Sequence, residues 1–167
     1  AVERNLDNEI KEMFKNKGFS IVNEKKIQIE KSEASIKESL RIAEYIMGSM
    51  GMVFILFPEQ ILMLFTNDQN IIDIGIWGLR LIGLIQFVDA IAFTMFLALT
   101  GAGNTLYPAL VESSLIWFFM LPVSYNFGVL NNSGFKGPWL VFAVYLLFLA
   151  TILVIKVKKG DWKEIEV

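Results

Sequence analysis

An all-α membrane protein with four transmembrane helices is what this sequence predicts, on three observations. The 167 residues are 54% hydrophobic, with a mean hydropathy of +0.52, above that of an ordinary soluble domain. Charge is segregated. Acids and bases alternate densely over residues 1–44 and become scarce between Tyr45 and Ile155, so one part of the chain is wet and the other oily. Finally, four stretches approach the roughly 20 apolar residues that a helix needs to cross a bilayer core.

Those stretches are Ala43–Phe65, Ile72–Thr100, Leu106–Val129 and Pro138–Ile155. The last is the shortest and gains length through Val157 if Lys156 snorkels. A soluble helical domain would need polar faces, and Leu140–Val154 has almost none. Short polar connectors separate the spans at Thr66–Asn70, Gly101–Thr105 and Asn131–Gly134, so consecutive helices are expected to be antiparallel neighbours. Pro58 and Pro122 are expected to kink the first and third spans. Gly48, Gly51, Gly75, Gly78 and Gly83 are suited to close helix packing.

Lysine and arginine near the span ends set the orientation. Lys25, Lys26, Lys31, Lys37 and Arg41 precede the first span, and Lys156, Lys158, Lys159 and Lys163 follow the last. Both termini are therefore expected in the cytoplasm, as an even number of spans requires. Trp77, Trp139 and Trp162 fall near span ends, where an aromatic belt would place them. Trp117 lies mid-span and reads as a packing residue.

Residues 1–42 read as a charged cytoplasmic segment, and residues 43–167 as the four-helix transmembrane part. Leu6, Ile10, Met13 and Phe14 share a helical face, which Lys17-Gly18 would end. Ser35 and Glu38 have capping-box spacing for a helix running on into the first span. The segment reads as solvated, with a membrane-surface amphipathic helix as the other possibility. The chain begins with Ala1 and carries no signal-peptide pattern, so it is expected to be a fragment of a longer protein.

The chain has no cysteine and no histidine, which removes thiolate chemistry, disulfides and the commonest proton shuttle and metal ligand. No nucleophile–base pair, metal cluster or phosphate loop is present, so no enzyme is expected. Three ionisable residues nonetheless lie within the spans, where each needs a reason to be. Arg80 lies roughly 12 Å from the outer end of the second span and can snorkel outward. Glu112 lies roughly 9 Å from the inner end of the third, within reach of cytoplasmic water or of a neighbouring group that it would cap. Asp89 is near the midplane and too short to snorkel. Nine residues of helix, about 900° of rotation, put Arg80 and Asp89 on opposite faces. Asp89 must therefore be protonated, meet a partner on another helix, or line a water-filled cavity. Such a group is what proton or sodium coupling needs. Its neighbours at helical spacing include Ile82, Ile85, Gln86, Phe93 and Phe96. That mixture of amide and aromatic surface suits bulky lipophilic cations or simply packs on another helix.

Several pieces in order then resemble the C-terminal third of MATE (multidrug and toxic compound extrusion) transporters of the NorM type. Leu64-Phe65-Thr66-Asn67-Asp68 resembles the close of their ninth helix. Gln86-Phe87-Val88-Asp89-Ala90, with Ala98-Leu99-Thr100-Gly101-Ala102-Gly103-Asn104-Thr105 and Pro108, is similar to the tenth helix and its loop. Leu121-Pro122-Val123-Ser124-Tyr125, Gly137-Pro138-Trp139 and Gly160-Asp161-Trp162-Lys163 resemble the pieces around and after the last connector. The resemblance covers about residues 32–167.

The resemblance implies four helices equivalent to the ninth to twelfth of a twelve-helix, two-lobe exporter that exchanges drugs for sodium ions or protons. It implies that Asp89 binds the coupling cation; Gln86, Phe93 and Glu112 are expected, from the chemistry of the spans themselves, as residues of the substrate cavity. Partners would be the bilayer of the inner (plasma) membrane, lipophilic or cationic small molecules and the remainder of the transporter. No cofactor beyond the coupling Na+ or H+, no metal site and no nucleic acid is expected. Three positions depart from the family pattern: Ile85 stands where a tyrosine often precedes the aspartate, Thr100 replaces an arginine, and Asn104 an aspartate. A seventh-helix acid and two helices of the same lobe are missing, so transport by the chain alone is not expected. Other readings are a non-transporting membrane remnant or interaction module, a flippase relative for lipid-linked oligosaccharides, and a small four-helix exporter.

Overall fold

The computed structural model of the chain describes residues 2–130 and 134–160, and every regular element among them is helical. Four helices are long and apolar enough to cross a membrane: Ser20–Leu56, Gln69–Gly101, Leu106–Leu130 and Lys136–Lys159. The chain divides into two compact units, Ala1–Lys37 and Glu38–Val167.

The first unit is helical and belongs to α1, which runs Val2–Leu56. This differs from the expectation of a stop at Lys17-Gly18 and a new cap at Ser35. Residues 2–37 contain no proline and abound in glutamate and lysine, good helix formers, so one glycine costing about 1 kcal/mol does not end the run. Nothing lies within 4 Å of a Cβ built on Gly18. The Ser32 hydroxyl donates to the Gln28 carbonyl at 2.9 Å, bonding back along its own helix. Of the Leu6–Phe14 face only the Met13 side chain lies within the described residues, and it is exposed.

The second unit holds the remaining helices. α1 ends at Leu56, earlier than the expected Phe65, because Pro58 cannot continue it. Phe57 leaves helical geometry (φ −124°, ψ 41°), and a short α2, Pro58–Met63, starts with the proline in its first turn. The candidate span Ser20–Leu56 counts 37 residues, more than the roughly 20 that a bilayer core needs. The polar Thr66–Asn70 connector is a cap. The Asp68 carboxylate accepts from the Asn70 amide at 2.9 Å, the Thr66 hydroxyl accepts from the Asp68 amide at 3.2 Å, and α3 (Gln69–Gly101) starts.

α3 ends in a Schellman motif. The Asn104 amide donates to the Leu99 carbonyl at 2.9 Å and the Gly103 amide to Thr100 at 3.0 Å. Gly103 sits at φ 84°, in the left-handed region where a glycine is required. That is the structural content of Gly101-Ala102-Gly103-Asn104.

The third span is not one regular helix. α4 (Leu106–Leu115) passes into a π-helical segment, Ile116–Met120, then α5 (Leu121–Tyr125), then a second π segment, Asn126–Leu130. Pro122 has no N–H for the Phe118 carbonyl, and the Leu121 amide bonds the Ile116 carbonyl five residues back. The expected kink is thus absorbed as a wide turn just before the proline. Trp117, read from sequence as a packing residue, is 70% exposed on this chain.

α6 (Lys136–Lys159) closes the unit and ends at Gly160 (φ 81°), with Lys156, Lys158 and Lys159 in its last turn, favourable to the helix dipole. It is the hub: α6 pairs extensively with α3 and also lies along the third span, whereas α3 and α4 touch sparingly. The fourth span therefore intervenes between the second and third, a difference from simple neighbour-to-neighbour packing. Ala90, Met95 and Leu99 of α3 are buried, as are Val141, Leu149 and Leu153 of α6. Lipid is as apolar as leucine, so such contacts win by packing and close approach. Gly128 and Gly137 supply that approach at the α6 start, where a Cβ on either would come within about 3 Å of Pro138 or of the Phe127 backbone. Asn131, Asn132, Ser133, Trp162 and Lys163 lie outside the described residues.

Candidate functional site

A cavity of about 310 Å³ opens within the second unit, walled by α3, α4 and α6. From α3 come Asp89, Ala92, Phe93 and Phe96, at the three- and four-residue spacing that lines one helical face. α6 contributes Phe142, Tyr145, Leu146 and Leu149 by the same rule, and α4 contributes Glu112. The lining holds two carboxylates, one phenol and otherwise apolar or aromatic side chains.

Of the residues singled out from sequence, Asp89, Phe93 and Glu112 line this one cavity. Gln86 is not among them: its Cβ lies 3.1 Å from where a side chain on Gly51 would begin, on the α1 side of α3. Arg80 is exposed and does not line the cavity, consistent with its place on another face of α3. Glu112, for which the sequence left cytoplasmic water, a neighbouring group to cap and the substrate cavity as alternatives, lines the same cavity as Asp89. The close packing of α6 against both α3 and the third span brings the two carboxylates to the same space.

Tyr145 escapes a reading from sequence. It sits in an apolar run, and nothing in its neighbours marks it as polar-facing. Its residue is 4% exposed. It lines the same cavity as the Glu112 and Asp89 carboxylates. Its ring stacks on Phe142, with centroids 5.9 Å apart at 28°. The stack holds the ring in place.

The arrangement is an aromatic-walled space with negative charge and no lysine or arginine in its lining. Such a space attracts a cation, with carboxylates supplying charge and ring faces supplying cation–π attraction. Among the described residues no group of three His, Cys, Asp or Glu side chains is placed to hold a metal ion.

Aromatic and basic groups also mark the two ends of the bundle. At one end Trp77 meets Phe135 edge-on at 5.9 Å, and Lys136 lies over the Trp77 ring at 5.8 Å. At the other, Lys156 lies over Tyr107 at 4.9 Å. These are the amphipathic anchors expected where helices leave the hydrocarbon.

Comparison with known proteins finds that the MatE family profile matches residues 28–126. The chain is similar to the probable multidrug resistance protein NorM of Thermotoga maritima, 34% identical over 116 residues, covering 70% of this chain and 25% of that protein. It is also similar to the probable multidrug resistance protein NorM of Listeria innocua, 29% identical over 113 residues, covering 68% of this chain and 25% of the relative. The Listeria monocytogenes counterpart matches at the same 29% over 113 residues. The chain spans about a quarter of the length of the curated relatives it matches.

Proposed function

Because the chain belongs to the MatE family, we propose that it is the C-terminal portion of a cation-coupled antiporter exporting lipophilic or cationic small molecules. MatE transporters are not enzymes. In this reading the four spans are the ninth to twelfth helices of the whole transporter, with both chain termini cytoplasmic. The bilayer and the rest of the transporter would cover faces this chain leaves open, such as Trp117 and Phe118 at 70% and 83% exposure.

The observation that carries the proposal is the common cavity of Asp89 and Glu112 inside the spans. Acidic groups within membrane helices are expensive and mark ion or substrate paths. Asp89 is assigned the coupling Na+ or H+. Phe93 and Glu112 are assigned to the cavity wall that meets the exported cation, and Gln86 to its margin toward α1. A cation that neutralises Asp89 and a cationic drug attracted by the same carboxylate compete, and that antagonism is what exchange transport requires.

Ethidium efflux from cells producing the transporter that contains this chain tests the proposal. Asp89→Asn is expected to abolish dependence of efflux on the sodium or proton gradient while leaving the protein at its normal level in the membrane. Unchanged gradient-driven efflux would refute the assignment of Asp89. Absence of efflux from the unmutated protein under either gradient would favour a non-transporting membrane role.

A further inference from the structure

We propose that the end of the bundle where α3 and α6 begin binds one phospholipid, its phosphate between Arg80 and Lys136 and its acyl chain along Leu84 and Phe87. The inference goes beyond the reading of the cavity and does not depend on it, because none of these residues lines that space. The site is a stripe on α3. Asp73, Trp77, Arg80, Leu84 and Phe87 recur at four- and three-residue steps, so they share one face of the helix. This chain leaves that face open. Arg80 is exposed, Leu84 is 62% exposed and Phe87 44%, one edge of the Phe87 ring resting on Gly48 of α1. The first turns of the stripe adjoin the start of α6, where Lys136 lies over the Trp77 ring at 5.8 Å and Phe135 meets the same ring edge-on. Side chains on a helix lean toward its N-terminus, so Arg80 leans over the turn that carries Trp77, toward the level of Lys136. Two cations thus flank one indole where the helices leave the hydrocarbon. Among the described residues neither is ion-paired with a carboxylate.

An arginine inside a span is expensive unless its charge is met, and a lipid phosphate at the membrane surface meets it. The planar guanidinium pairs with two phosphate oxygens at once, while the Lys136 ammonium adds a point charge. Asp73, one turn before Trp77, is the acid on the stripe, and its carboxylate accepts from the Gln69 side-chain amide at 3.0 Å. Two cations and one carboxylate leave one positive charge, which matches the single negative charge of phosphatidylglycerol rather than zwitterionic phosphatidylethanolamine. Leu84 and Phe87 lie deeper on the same stripe and are apolar where an acyl chain would run. A second copy of this chain fits the stripe poorly. Two copies of one topology lie parallel, and across a two-fold axis Arg80 would meet Arg80.

Photolabelling tests the site. The full chain is reconstituted in vesicles of phosphatidylethanolamine and phosphatidylglycerol, one of the two carrying a diazirine midway along an acyl chain. Adducts are mapped by mass spectrometry and normalised to those on the whole chain. Phosphatidylglycerol is expected to label the Leu84–Phe87 segment about fivefold more than phosphatidylethanolamine, the preference that one net charge near the membrane surface sets. Arg80→Gln and Lys136→Gln are each expected to remove that preference. Equal labelling by the two lipids in the parent, or a preference unmoved by either variant, would overturn the proposal. Should Arg80→Gln fail to fold, Lys136→Gln alone, at the exposed start of α6, decides. The labelling is then repeated in the transporter that contains this chain. Adducts on the same segment are expected there, and their absence would mean that a protein helix covers the stripe, which also overturns the proposal. Labelling does not read transport, so the lipid site can stand while efflux survives Asp89→Asn, and can fail while Asp89→Asn abolishes coupling.

Discussion

Gly51 of α1 and Gly83 of α3 meet backbone to backbone: a Cβ built on either would lie 2.6 Å from the carbonyl oxygen of the other. Neither oxygen is the end of a flexible side chain, so no rotamer change relieves the clash. One turn away, Gly48 takes the edge of the Phe87 ring, a side-chain rather than a backbone contact. This crossing joins the first span to the rest of the bundle. Gly51→Ala or Gly83→Ala is expected to lower stability by about 1–3 kcal/mol, the usual range for overpacking. Thermal unfolding of the purified chain in detergent measures it, and the two substitutions combined should cost less than their sum because they disrupt one contact.

Gly18 is the opposite case. It lies in the helical first unit with open space where a side chain would go. Gly18→Ala is expected to raise stability of that helical segment by up to about 1 kcal/mol, through propensity alone. Far-UV circular dichroism during heating reads the gain, and a loss would mean that the glycine meets something there.

Much of this could be read in the sequence because the signals were physical. Apolar runs of sufficient length located the spans, since a bilayer forces backbone groups to bond within a helix. Asp89 stood out because a midplane carboxylate has few ways to exist. Three of four candidate site residues then share one cavity, because residues on α3 and α4 both face α6. What stayed hidden was tertiary. That α6 lies between the second and third spans is written in no periodicity. Gln86 lies one turn from Asp89, yet faces α1, because Gly51 opens room there. Tyr145 resembles its apolar neighbours until the cavity it shares with Glu112 is seen. The long α1 was hidden for a different reason: a glycine and a capping-box spacing are weak signals against continuous helix-forming sequence.

Pro122 explains the π-helical segment Ile116–Met120 of the third span, and its removal should regularise that segment. In Pro122→Ala the restored amide can bond the Phe118 carbonyl, relieving an intrinsic penalty of about 3 kcal/mol. The Ile116–Met120 turn would then tighten to an α-helix and rotate Phe119 away from Phe148, which it meets edge-on at 5.3 Å. A double-mutant cycle on Phe119 and Phe148 should show coupling of about 0.5–1.5 kcal/mol in the parent and close to none in Pro122→Ala.

Orientation is testable without background, because the chain contains no cysteine. Asn67→Cys, between α2 and α3, is expected to react with a membrane-impermeant maleimide from outside intact cells. Lys158→Cys, at the end of α6, should react only after permeabilisation. The reverse pattern would invert the topology and contradict the lysine and arginine bias.

The most direct test of Asp89 as the coupling residue is equilibrium binding of tetraphenylphosphonium to the transporter containing this chain, across pH and sodium concentration. Competition for one carboxylate predicts that binding weakens as protons or sodium ions rise in the parent, and that Asp89→Asn removes this dependence. An equal dependence in the parent and in Asp89→Asn would place cation coupling elsewhere and leave Asp89 a structural carboxyl.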